Sequence, residues 1–252
     1  MTLPLKLLII LTTHLLISCS NPTQLENTSR DGFRTIEDQT ANHLIKVSNN
    51  QHNKKVLFIG DSHAVGLFGK ELFNRLQNKY PSSELYFYAV CGSSPSWWLT
   101  GHETNCGYWQ FDHTGYEIKT KHGTTPKLKE LVQKIQPNLI IIEQGTNLIR
   151  YKSDDVKEEV MQLIDFIKKT TAAKIYWIGP PDARKHSKQA INSTFLAISQ
   201  ICSEHKAITT LIDSRKFTHY PSSAKDGIHY NGIEGEFEHN KWAAEVANII
   251  HF

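Results

Sequence analysis

Hydrophobic and polar positions follow two rhythms along this chain. Five short runs are apolar nearly throughout: Val56–Ile59, Leu85–Val90, Leu139–Glu143, Lys174–Ile178 and Thr210–Asp213. Their length and β-branched content predict strands, and the lack of a polar face predicts a parallel sheet covered on both sides. Between and after them, apolar residues recur at helical spacing. Leu67, Leu72 and Leu76 mark one helix, and Leu128, Leu131, Val132 and Ile135 a second. Val156, Val160, Leu163, Ile164 and Ile167 mark a third, Ile191 to Ile201 a fourth, and Trp242 to Ile250 the last. Strands alternating with helices imply right-handed βαβ units. The expectation is a three-layer α/β/α sandwich around a central five-stranded parallel sheet, without internal repeats.

The first fifth of the chain breaks both rhythms. Lys6 precedes a mostly apolar stretch from Leu7 to Ile17, followed by Ser18 and Cys19. That order reads as a secretory signal over 1–18, and the run is shorter than the roughly 20 residues a bilayer span requires. A cysteine directly after Leu-Ile-Ser resembles a bacterial lipobox, with cleavage before Cys19 and lipid on its sulfur. An ordinary signal peptide and an uncleaved anchor are the alternatives. All three export the domain, and the first makes it a membrane-anchored lipoprotein of the cell envelope. Residues 19–53 are rich in Asn, Thr, Gln and Ser, a composition that buries too little surface to offset its ordering entropy. They read as a tether with an r.m.s. reach of roughly 30 Å, although Phe33, Ile36, Leu44, Ile45 and Val47 could form a short docked helix. The folded domain is expected over 54–252.

Composition adds limits. The chain has 252 residues, 39% of them hydrophobic, enough for one sizeable core. A net charge of +3 without a basic stripe gives no footprint for nucleic acid. With Cys19 lipidated, Cys91, Cys106 and Cys202 remain. Cys91 and Cys106 bracket one loop and are the natural disulfide pair in an oxidising compartment. Cys202 falls on a helical pattern and reads as a buried thiol. His102, His113 and His122 lie near that loop but fit no zinc spacing, so neither metal nor cofactor is expected.

Candidate chemistry lies just past the predicted strands. Gly60-Asp61-Ser62-His63 follows the first, Gly92 the second, and Gly145-Thr146-Asn147 the third. Asp226-Gly227-Ile228-His229 follows the fifth. In open α/β sheets this rim is where ligands bind. These four blocks, in this order, resemble the SGNH (GDSL-type) hydrolase family, over roughly Lys54 to Phe252. The resemblance implies a flavodoxin-like SGNH hydrolase fold and a serine esterase. Ser62 would be the nucleophile, His229 its general base and Asp226 the group that orients the imidazole. The Ser62 and Gly92 backbone N–H groups and the Asn147 amide would form the oxyanion hole.

Each of these residues also has a plainer reading. Ser62 could cap a helix, His229 could make a structural hydrogen bond, and Asn147 could turn the chain after its strand. Asp61 reads as structural, bonding amides of its own loop. His63 reads equally as a packed residue or a substrate contact. Leu148 stands where many family members carry Asp, which removes a helper acid and leaves the oxyanion donor.

The stretch from Ser93 to Thr125 is long for a loop in a compact domain. It holds Trp97, Trp98, Tyr108, Trp109, Phe111 and Tyr116. These aromatics would suit stacking on sugar rings or form the insertion's own core, and at least one of Trp97 and Trp98 is expected to face the cleft. Arg184-Lys185-His186 and Lys188 read as a solvated loop rather than a substrate clamp. A tethered, exported esterase with an aromatic insertion favours an acylated glycan as substrate, acetyl being the expected group, and a monomer is expected. An O-acyltransferase, a lipase or lysophospholipase, and a noncatalytic glycan-binding lipoprotein are the rival readings.

Overall fold

The computed structural model describes residues 53–252. The signal segment, Cys19 and all of the tether before Asn53 lie outside the described residues. Elements run in the order β1 (Lys55–Gly60), α1 (Ser62–Val65), α2 (Leu67–Lys79), β2 (Glu84–Val90), α3 (Pro95–Thr100), β3 (Glu103–Thr104) and β4 (Tyr108–Asp112). They continue with β5 (Glu117–Thr120), β6 (Gly123–Thr124), α4 (Leu128–Ile135), β7 (Leu139–Glu143) and α5 (Ser153–Thr170). The last are β8 (Lys174–Ile178), α6 (Lys188–Glu204), β9 (Thr209–Ile212) and α7 (Gly232–Ile249).

The main sheet has seven strands in the order β5-β4-β2-β1-β7-β8-β9. Its five parallel strands, β2-β1-β7-β8-β9, are the five apolar runs, in the 2-1-3-4-5 order of flavodoxin-like sheets. The insertion adds the other two: β4 pairs antiparallel with β2, and β5 with β4. The region expected as a loop is therefore largely a sheet extension, with β3 and β6 forming a separate two-stranded ribbon. Cys91 and Cys106 are joined at the base of this extension, and Cys202 is a buried free thiol.

Strand alternation sorts the core into two layers. Leu57, Ile59, Ile140, Ile142, Ile175 and Trp177 pack with α4, α5 and α6 on one face. Val56, Phe58, Phe87, Leu139 and Ile141 pack with α2 and α7 on the other. Trp242 of α7 stacks on Phe68 of α2 with ring centroids 3.6 Å apart, and both side chains are fully buried. Truncating such an aromatic typically costs about 3–5 kcal/mol. α7 begins at Gly232, ten residues before the expected start at Trp242.

The strand order reverses between β1 and β7, and a crevice opens there beyond the carboxyl ends of the strands. The register sets Gly60 opposite Glu143. The segments carrying Ser62 and Asn147 leave the sheet side by side at that point.

Candidate active site

Ser62 is the first residue of α1, and the preceding residue caps the helix: the Asp61 carboxylate accepts from the His63 N–H at 2.9 Å. Capping by Asp61 leaves the Ser62 hydroxyl available for another partner. The turn is tight because a Cβ on Gly60 would stand 2.5 Å from the Ala64 Cβ.

That other partner is His229, whose Nε2 lies 2.9 Å from Ser62 Oγ. His229 Nδ1 lies 2.6 Å from Asp226 Oδ2. A hydrogen on Nδ1 donated to the carboxylate leaves the Nε2 lone pair to accept the Ser62 O–H. Asp226 Oδ1 also accepts from the Ile228 and His229 N–H groups, each at 2.8 Å. Burial would raise its pKa, but these N–H bonds and the imidazole outweigh it and hold the carboxyl down at about 2. Asp226 therefore stays ionised whenever His229 is able to act as a base.

The loop carrying both residues is braced from behind by groups outside the sequence motifs. The Tyr220 hydroxyl accepts from the Gly227 N–H at 2.7 Å and donates to Asp226 Oδ1 at 3.4 Å. The Lys185 N–H donates to the Gly227 carbonyl at 2.8 Å, and the Arg184 guanidinium to the Ala224 carbonyl at 2.9 Å. Asp182 pairs with Lys188 and accepts from the Tyr220 N–H. Arg184, Lys185 and Lys188 are exposed, as expected for a solvated loop, and in addition make structural contacts to the 220–229 loop and its surroundings. Their only trace in the sequence was their place after β8 on the active rim.

The three proposed oxyanion donors meet at the switch point. Gly92 follows β2 with φ +83°, a conformation that favours glycine. Asn147 sits in a single turn after β7, and its Nδ2 donates to the Ser93 carbonyl at 2.9 Å and to Asp61 Oδ2 at 3.3 Å. Ser93 Oγ lies 3.3 Å from the Gly60 carbonyl and 3.0 Å from the Gln144 amide, linking all three segments. Leu148, at the position of the missing acid, is wholly buried in the core.

Two expected substrate contacts are not exposed. Trp98 is 0% exposed and belongs to the core. With the Gln144 amide oriented to satisfy its neighbours, the Trp98 indole N–H donates to its oxygen at 3.3 Å. Trp98 therefore supports the segment leading to Asn147. His63 is 1% exposed, its ring packed 5.7 Å from Trp242 and 5.4 Å from His229. Burial, then the nearby imidazoles, push its pKa well below the usual histidine range, so it is neutral. It forms the floor of the site and offers no hydrogen bond to a ligand. Trp97 is half-buried and does face a cavity.

Two cavities are lined by residues of the candidate site. One of about 360 Å³ contains Ser62 and His229, with Val65, Leu67, Asn231 and Glu236 on its walls. The other, about 640 Å³, opens beside Gly92 and Trp97 and is walled by Glu103, Asn105, His122 and the disulfide. Both fall in the size range of small-molecule sites. Among the described residues, no group of three or more His, Cys, Asp or Glu side chains converges as a metal cage.

No protein-family model and no curated protein sequence matches this chain. Solved structures do. TesA superposes with a TM-score of 0.54 at 14% identity, covering 75% of this chain and 96% of its own. A catalytic mutant of Axe2, an acetylxylan esterase from Geobacillus stearothermophilus, gives 0.52 at 14% identity, covering 78% and 95%. The psychrotrophic esterase EstA from Pseudoalteromonas sp., inhibited by monoethylphosphonate, gives 0.51 at 15%, covering 77% and 95%. At these identities the likeness is one of fold. The chain has the three-layer α/β fold of SGNH-type esterases.

Proposed function

We propose that this protein is an SGNH-type serine esterase that removes acyl groups, acetyl above all, from a glycan. The observation that carries the reading is the Ser62–His229–Asp226 chain of hydrogen bonds, 2.9 and 2.6 Å long, at the sheet's switch point. His229 Nε2 would take the Ser62 proton as Oγ attacks the ester carbonyl. The oxygen of the tetrahedral intermediate would then bear negative charge facing the Ser62 and Gly92 N–H groups and the Asn147 amide. Collapse releases the sugar hydroxyl, which receives its proton from His229 and leaves an acyl-Ser62. Water, deprotonated by the same imidazole, would attack that ester and restore Ser62 with release of the acid.

The glycan assignment draws on the larger cavity. It places one half-buried indole among polar side chains, a pairing suited to a sugar ring with an apolar face and polar edges. The fold shared with acetylxylan esterase Axe2 agrees with this substrate class. A second reading, a longer acyl chain or a lipid ester, is favoured by a different feature. Leu67, Ile233 and Phe237 are 41%, 88% and 68% exposed and lie at or beside positions lining the smaller cavity. Export and a lipid on Cys19 complete the proposal, and palmitate labelling that disappears in Cys19→Ala would support them.

The deciding assay measures acetate release from O-acetylated peptidoglycan and acetylated xylan, with nitrophenyl esters of increasing chain length in parallel. Acetate release that disappears in Ser62→Ala is the expected result. Turnover that rises with chain length and spares the polymers would favour the lipid reading. Transfer of the acyl group to an added sugar, in preference to water, would make the protein an acyltransferase.

A further inference from the structure

The proposed mechanism leaves two buried acids without a role. The β1–β7 register brings Asp61, the residue after β1, against Glu143, the last residue of β7. Both are 0% exposed. Glu143 Oε2 accepts the Asp61 N–H at 3.1 Å, and the two carboxyls are themselves in hydrogen-bonding contact. Among the described residues, neither has a cationic partner within ion-pair distance. Two carboxyls buried together without a cation cannot both ionise.

Geometry assigns the proton. Asp61 accepts from the His63 N–H at 2.9 Å and from Asn147 Nδ2 at 3.3 Å, so its charge is solvated by donors. The Asp61 and Ala64 N–H groups bear on Glu143, but no donor reaches its Oε1, which would be costly for a carboxylate and leaves that oxygen to carry a proton toward Asp61. Titration tendencies agree. Burial raises both groups, Asp61 to about 6 and Glu143 well above the usual carboxylate range, the charge on Asp61 adding to the rise of Glu143.

We propose that Glu143 is a positioning residue for the oxyanion amide: as a neutral acid it donates a hydrogen bond to Asp61, which in turn fixes the start of α1 and the Asn147 side chain. The inference rests on Asn147 serving the oxyanion, as proposed above. The Asn147 amide is anchored by its shorter bond to Ser93, and its longer, weaker bond to Asp61 orients the second hydrogen, which would be shared with the oxyanion as that forms. The Glu143 proton also limits the pair to one negative charge. A second would oppose the charge that develops on the substrate oxygen.

Glu143→Gln keeps both a donor for Asp61 and an acceptor for its N–H, whereas Glu143→Leu keeps neither. On a small activated acetyl ester at neutral pH, Glu143→Gln should stay within about threefold of wild type. Glu143→Leu should lose about 10- to 100-fold in kcat with KM nearly unchanged. The pH profile separates positioning from mere structure. As pH rises, ionisation of Glu143 should lower kcat in wild type but not in Glu143→Gln. Its strand neighbours, Gly60 and Ile178, do not titrate. Asp61 is the ionisable group in contact with it, and beyond Asp61 stand His229 and His63. A change confined to the alkaline limb therefore reports Glu143.

The side-chain amide resonances of Asn147, identified by their loss in Asn147→Asp, give a readout independent of turnover. They should persist unshifted in Glu143→Gln and move in Glu143→Leu. Equal effects of the two variants on kcat and on these resonances would overturn the proposal. If Glu143→Leu does not fold, an alkaline limb shared by wild type and Glu143→Gln would overturn it. Wild type without Ser62-dependent turnover would instead refute the esterase reading and leave the resonances to decide this one.

Discussion

The two halves of the site are built in opposite ways. The half carrying the proposed nucleophile grows out of the sheet: Asp61 and Glu143 are 0% exposed and joined by a buried bond, and Ser93 is hydrogen-bonded to Asn147 and to Gly60 at the strand ends. The half carrying the proposed base lies on a long connection after β9, with the His229 and Asp226 side chains 38% and 43% exposed. It is held from behind by Tyr220 and by the Arg184–Lys185 segment. One half is thus placed by strand register, and the other by a few contacts between loops. Packing resists movement in small steps, whereas loops open at low cost. In the proposed mechanism the oxyanion side is therefore the fixed reference against which the His229 loop is set.

The sharpest way to break this comparison is to remove the atom shared by both halves. Ser62→Ala should lower kcat by at least about 10⁴-fold with little change in melting temperature. A variant retaining activity would remove the basis for pairing the halves. On the rigid half, Asn147→Ala should cost on the order of 100- to 1000-fold in kcat, with a smaller effect on KM. A pure KM effect would argue against an oxyanion role. On the braced half, Tyr220→Phe removes the acceptor of the Gly227 N–H and a donor to Asp226. The cost should be about 1–2 kcal/mol, read as roughly a tenfold loss in kcat together with faster amide exchange in the 220–229 loop. Unchanged exchange would mean that the brace lies elsewhere.

The smallest effect concerns acid stability. Burial, then the charge of His229, lowers the pKa of His239 to about 4. Unfolded His239 binds its proton near 6.5, so between about 6.5 and 4 the unfolded state holds more protons, and stability falls as pH drops. Asp61 works in the opposite direction, because its raised value makes the folded state the better proton binder in acid. Comparing wild type with His239→Gln isolates the histidine. The variant should lose less stability between pH 6.5 and 4, by up to roughly 3 kcal/mol. Parallel denaturation curves would show that His239 titrates normally when folded.

Legibility in the sequence followed the same division. The parallel strands were readable because residues such as Leu139–Ile142 are buried on both faces and therefore apolar without alternation. The switch-point blocks were readable because glycine is demanded where backbones crowd. β5 was not, because all four of its residues are exposed and include Glu117 and Lys119, so no hydrophobic pattern marks it. The first turns of α7 were hidden by Gly232 and Gly235 and by Ile233 and Phe237, which face solvent against the helical rhythm. Trp98 read as a possible substrate contact because a sequence cannot show which side of a short helix the core will claim. Glu143 read simply as the end of a strand, since its partner, Asp61, is 82 residues away. Arg184 acts through a contact of the same non-local kind, whereas Tyr220 reaches Gly227 only seven residues away, across a loop with no periodic pattern to mark it.

The central claim is that Ser62 is a nucleophile activated by His229, and a phosphonate ester that mimics the tetrahedral intermediate tests it most directly. Peptide mass mapping after labelling should find one adduct, on Ser62. It should be absent in Ser62→Ala and formed far more slowly in His229→Ala, while both variants keep the wild-type fold. An adduct on another residue, or labelling at an undiminished rate without His229, would contradict the account.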